Sequence, residues 1–141
     1  MLFNPSREDA RNFLFESWRK HRKQEMLTPL ENLALRLIEN HPEYHTILEN
    51  PDRYKNRDYQ SDQGETNPFL HIMMHLTIEE QISIDQPAGV RAQFVRLSHK
   101  LKSEHNAQHQ MMDCLSEMIW QAQRSGTLPN PHIYLICLER H

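Results

Sequence analysis

Apolar residues recur three and four positions apart through most of this chain, the spacing of helices that each bury one face. Ser6, followed by Glu8 and Asp9, reads as a helix start, with Ala10, Phe13, Leu14, Ser17, Trp18 and His21 in one stripe behind it. Thr28, Pro29 and Glu31 supply the cap, first-turn proline and capping-box acid of a second helix, whose core face is Leu30, Leu33, Ala34, Leu37 and Ile38. Pro42 disfavours helical geometry at His41, so this helix should stop near Asn40 and a short one restart through Tyr44, His45 and Leu48. Residues 50–66 are polar, carry Pro51 and Gly64, and show no sustained period, which predicts a long loop. Asn67 and Pro68 then open a third helix running to about Ile84, closed by Asp85 and Pro87. Val90, Phe94, Val95 and Leu97 mark a helix to about Leu101, and Ser103 caps another over 104–124 that Gly126 ends. The terminal apolar segment, Ile133 to Leu138, fits helix or strand by periodicity and is taken as helix.

The third helix differs from the rest. Phe69, Leu70, Ile72, Met73, Met74, Leu76, Ile78, Ile82 and Ile84 are spread round its whole circumference, so it should be buried centrally. The expectation is an all-α fold: one domain over residues 1–141, a single bundle of about five to seven helices around a buried central helix at about 67–85.

Composition narrows the function classes. Only 3 Gly among 141 residues argues against a turn-rich sandwich, and a net charge of −3 leaves no global basic footprint for nucleic acid. The basic run Trp18-Arg19-Lys20-His21-Arg22-Lys23 is diluted by Glu16, Glu25 and Glu31 and reads as a solvated helix face. Cys114 and Cys137 lack zinc-ribbon spacing, and a secreted disulfide scaffold of this size usually carries more cysteines, so both are expected as free thiols. The start lacks the basic and apolar regions of a signal peptide, and the longest apolar run is too short to span a bilayer. The expected location is the cytoplasm.

Histidine is the residue type that carries candidate chemistry. His71 and His75 lie one turn apart on the third helix, with Glu79 one turn further. His105, His109 and Asp113 repeat that spacing on the later helix. Imidazoles and carboxylates projecting inward from facing helices are how helical bundles hold a divalent transition metal such as Zn, Fe or Ni. His41 and His45 share the spacing, but Pro42 interrupts the helix that would align their rings, and the pair is discounted. His105-Asn106-Ala107-Gln108-His109 has the ligand spacing of a zinc protease with Asn106 where the general-base Glu belongs, which argues against that hydrolase class. No phosphate loop or nucleophile elbow occurs. The methionines lie at core spacings, where Met fills irregular gaps.

The segment Gly64-Glu65-Thr66-Asn67-Pro68-Phe69-Leu70-His71, with His75, Glu80-Gln81, the stretch from His105 to Cys114 and Trp120-Gln121-Ala122-Gln123-Arg124, resembles the bacterial domain-of-unknown-function family 1841. The resemblance covers nearly the whole chain and implies a small helical cytoplasmic protein, with no activity to carry over. Relatives often have Glu after the first histidine of the later pair, so Asn106 departs from the pattern and weakens any catalytic proposal drawn from the family.

Two readings follow. In one, His71, His75, His105 and His109 bind a metal, with Glu79 or Asp113 as additional or supporting groups. In the other the domain has no cofactor and acts as an interaction or adaptor module for a protein partner, its histidines being hydrogen-bonded core groups. Ten histidines in 141 residues make some one-turn pairs by coincidence, which is what the second reading rests on.

Overall fold

Capping chemistry places most of the helix boundaries. The computed structural model describes residues 7–59 and 67–141. The described residues form eight α-helices and no strand: α1 (Arg7–Arg22), α2 (Pro29–Glu39), α3 (His45–Leu48), α4 (Pro51–Tyr54), α5 (Pro68–Ile84), α6 (Val90–Leu101), α7 (Glu104–Ser125) and α8 (Pro131–Glu139). The fold class is all-α, as expected. The short helix expected through Tyr44, His45 and Leu48 is α3, and the count exceeds seven because α4 is a single turn, too short to show a period. α4 starts inside the segment expected as loop, with Pro51 at its first position, where a preset φ suits a helix start. The Ser6 cap and residues 60–66 of the expected loop lie outside the described residues.

Thr28 and Glu31 form the reciprocal capping box at the start of α2. Asn67 Oδ1 accepts from the backbone N–H groups of Phe69 and Leu70, each at 3.1 Å, and opens α5. Ser103 accepts from Asn106 N–H at 3.0 Å to start α7, and Gly126 ends it at φ 64°, a left-handed conformation that costs glycine little. Asn130 caps α8 by accepting from His132 N–H, which turns the ambiguous terminal segment into a helix.

The chain divides into two compact units, one ending at Leu76 and the other beginning at Thr77 within α5. In the first, Leu14, Phe15 and Trp18 of α1 pack with Ala34, Leu35, Leu37 and Ile38 of α2, Leu48, and Phe69, Ile72 and Leu76 of α5. Arg11 is buried too. Its guanidinium donates to the backbone carbonyls of Tyr54, Lys55 and Arg57 at 3.2, 3.1 and 2.7 Å and lies 4.5 Å from the Phe69 ring centroid. That one side chain ties α1 to the end of α4 and the residues after it, and Arg7 adds a second donor to the same Arg57 carbonyl.

The basic run of α1 is neutralised locally. Arg19 pairs with Glu16 and Glu25, Lys20 with Glu31, and Arg22 with Glu49, while the Trp18 indole is buried against the His45 ring at 4.4 Å.

The second unit is built from the rest of α5, α6 and the α7–α8 hairpin around Ile78, Val90, Leu97, Met111, Leu115, Tyr134 and Leu138. Tyr134 is fully buried and its hydroxyl donates to Gln81 Oε1 at 2.8 Å. Along α5 only Leu70, Ser83 and Ile84 are exposed, as expected of a helix apolar on all sides. No helix among the described residues is long and apolar enough to cross a membrane.

Candidate metal centre

The one-turn spacing of His71 and His75 does what helix geometry requires. Their rings lie 4.8 Å apart between centroids on α5, and the two Nε2 atoms are 3.2 Å apart. His75 is fully buried and His71 half-buried. The third member of the cluster is His41. Its Nε2 lies 3.2 Å from His71 Nε2, its ring centroid is 5.7 Å from that of His75, and a ring nitrogen of each lies within 4.8 Å of the other.

His41 corrects the sequence reading, which set it aside with His45. Pro42 does end the helical run: α2 stops at Glu39, and residues 42–44 form a 3-10 turn. The interruption frees His41 from the helix direction and lets it turn inward at φ −129°, ψ 67°. His45 goes elsewhere, bonding the Ile38 carbonyl at 3.1 Å and packing on Trp18. The signal available in the sequence was a histidine directly before a helix-breaking proline, and its direction depends on chain geometry that spacing does not report.

Outer contacts orient the first ring. His41 Nδ1 lies 3.0 Å from Glu43 Oε2, and Tyr44 stacks on the His41 ring at 5.1 Å and 13°. The hydrogen bond from His41 holds the Glu43 carboxyl below the usual glutamate range, keeping it ionised. Burial pushes the Tyr44 phenol up. A carboxylate on Nδ1 favours the tautomer with its proton on Nδ1 and its lone pair on Nε2, the pattern of carboxylate–histidine–metal triads.

Three Nε2 atoms at these spacings constrain the chemistry. A tetrahedral zinc with ligands at about 2.0–2.1 Å separates its nitrogens by about 3.3–3.4 Å, close to the two 3.2 Å separations. A hydrogen-bond chain through His71 Nε2 fits less well, because one ring nitrogen carries either a proton or a lone pair and cannot donate to one neighbour while accepting from the other. A cation facing three lone pairs meets no such conflict.

The remaining nominated residues sit in the second unit. His105 and His109 are both half-buried, with ring centroids 4.2 Å apart on α7. Glu79 accepts from Gln108 Nε2 at 2.7 Å, so its carboxylate is engaged by an amide. Asp113 is exposed and lines a surface recess with Cys137 and His141. The two cysteines, expected as free thiols, form a disulfide. The α7–α8 hairpin sets their Cα atoms 5.6 Å apart, within the span a disulfide bridges, although they stand 23 residues apart in sequence.

A family model described as "Domain of unknown function (DUF1841)" matches residues 6–140 of the chain. No curated protein and no solved structure matches it.

Proposed function

The chain belongs to the DUF1841 family, whose description names no activity, and we propose from the geometry of its own residues that it is a transition-metal-binding helical domain. His41, His71 and His75 are the proposed ligands through Nε2, with Glu43 supporting His41. The observation that carries the reading is the pair of 3.2 Å Nε2 separations meeting at His71, with His75 and His41 both buried. Neutral imidazoles are borderline donors that suit Zn²⁺, Fe²⁺ or Ni²⁺. Three protein ligands leave a coordination position open, as in catalytic zinc sites and unlike closed structural ones. A metal held by these three imidazoles would supply Lewis-acid chemistry toward water or another small oxygen ligand.

Elemental analysis of protein purified without an affinity tag tests the reading. One equivalent of metal is expected, lost in His71→Ala and in His75→Ala. Added Zn²⁺ should raise the unfolding free energy of apo wild type by about 2.7 kcal/mol at a hundredfold excess over Kd, read as a higher unfolding midpoint. Protein that takes up no divalent ion and melts identically with and without it would return the domain to the interaction reading, with the histidines as core groups. His105 and His109 enter the same assay. Metal lost in His105→Ala or His109→Ala extends the ligand set to α7, and metal retained limits it to the three imidazoles.

A further inference from the structure

Among the described residues, a second donor cluster, built around sulfur, lies wholly in the second unit. Cys114 Sγ, Cys137 Sγ and a ring nitrogen of His141 all fall within 4.8 Å of one another. Cys114 is fully buried, Cys137 half-buried and His141 exposed, so the cluster runs from the core to the surface. Its outer end opens into a recess of about 490 Å³ lined by Asp113, Glu117, Gln121, Cys137, Arg140 and His141. His141 is held at its backbone, its N–H donating to the Leu138 carbonyl and its carbonyl accepting from Lys100 Nζ.

We propose that, once the disulfide is reduced, this cluster binds a thiophilic divalent cation of the zinc class. The Cys114 and Cys137 thiolates and the His141 imidazole are the ligands. Two sulfurs and one nitrogen form a donor set zinc takes at tetrahedral sites, with water or a carboxylate of Asp113 or Glu117 in the fourth position. The recess gives an ion a route to Cys137, and its two carboxylates, Asp113 and Glu117, outnumber the one guanidinium, Arg140, in its lining. The disulfide and metal forms exclude each other, because each sulfur bonds either its partner or the ion.

The chemistry balances with a low-molecular-weight thiol as reductant. One thiolate attacks the disulfide, a second releases the resulting mixed disulfide, and the two external thiols leave as their own disulfide, having supplied two electrons. Two protein thiols result, and the incoming cation displaces their two protons to water.

The experiment uses the full chain in two states, as folded with its disulfide and after reduction with a phosphine that is then removed under argon. Co²⁺ is the probe, because a thiolate-to-cobalt charge-transfer band reports sulfur ligation and ignores imidazole-only sites. The reduced protein should develop that band to one equivalent and lose it on adding Zn²⁺, while the oxidised protein shows none. His71→Ala should keep the band, separating this site from the three-imidazole one. Cys137→Ser should abolish it, and His141→Ala should weaken Co²⁺ binding by about tenfold or more. The proposal is overturned by a reduced protein that stays helical by circular dichroism yet shows no band, by one that loses its helices on reduction, or by unchanged affinity in His141→Ala.

Discussion

The three-imidazole cluster of the first unit and the cysteine–histidine cluster of the second differ in how their donors are held. His71 and His75 come from one helix, so their separation follows from a single turn of α5, and Glu43 orients His41 from outside. Cys114 and Cys137 come from α7 and α8, and His141 is the second residue after α8, so their approach depends on how two helices pack. The first cluster is largely enclosed, and the second grades from core to solvent. The His71–His75 spacing, borrowed from local geometry, survives small packing changes, whereas His41 in the first cluster and all of the second depend on tertiary packing.

The sharpest way to break the comparison is to damage each core separately. Leu14→Ala and Leu138→Ala remove side chains that are almost fully buried, one in each unit, and each should cost about 2–5 kcal/mol. Chemical denaturation followed by the Trp18 and Trp120 signals, isolated by replacing one tryptophan at a time, shows whether the cost spreads. If the units unfold separately, each variant moves only the transition of its own unit; one shared shift in both signals would mean a single cooperative structure.

Reducing the Cys114–Cys137 disulfide should have the next largest effect. A bridge across 23 residues restrains the unfolded chain, and its loss is expected to cost about 3 kcal/mol. Metal uptake at the histidines should be unchanged by this treatment: elemental analysis of matched samples should give one equivalent when oxidised, and that equivalent plus the one at the cysteines when reduced. Uptake that falls on reduction would show the two clusters to be coupled.

Glu43→Gln probes the outer support of the imidazole cluster. The amide removes the charge that favours the binding tautomer of His41, and metal affinity should fall by about tenfold, read by competition with a chelator. Equal affinities in wild type and variant would leave Glu43 as a surface carboxylate with no part in binding.

The smallest effect lies at the α2 cap. Thr28→Ala should cost about 1 kcal/mol near neutral pH. The Thr28 backbone N–H, and then the Lys20 ammonium, hold the Glu31 carboxyl below the usual glutamate range. Because the folded value is depressed, its contribution is present above the unfolded value of about 4.3 and is lost as pH falls through the folded one. Urea midpoints of wild type and Glu31→Gln should therefore differ at pH 6 and draw together in acid, and a gap that persists in acid would contradict that role for the carboxylate.

Much of this structure was legible residue by residue. Thr28 with Glu31, Asn67 with Pro68, and Gly126 each marked a helix end because capping is a contact between near neighbours. The α1 stripe was less complete: Arg11 and Phe15 are buried, and His21 is exposed. Arg11 shows why, since a cation enters the core only where carbonyls from 43 to 46 residues away come to meet it.

By itself, then, the order of residues determined every described helix but α4, most of their caps, the burial of α5 and the side-by-side placing of His71 and His75. All of these follow from backbone periodicity and hydrogen bonds within a few positions. Tertiary structure alone decided that His41 turns in beside them, that His45 turns away to Trp18, and that two cysteines 23 residues apart meet. Those outcomes depend on where separate segments pack, and the spacing of residues along one segment holds no information about the direction of another.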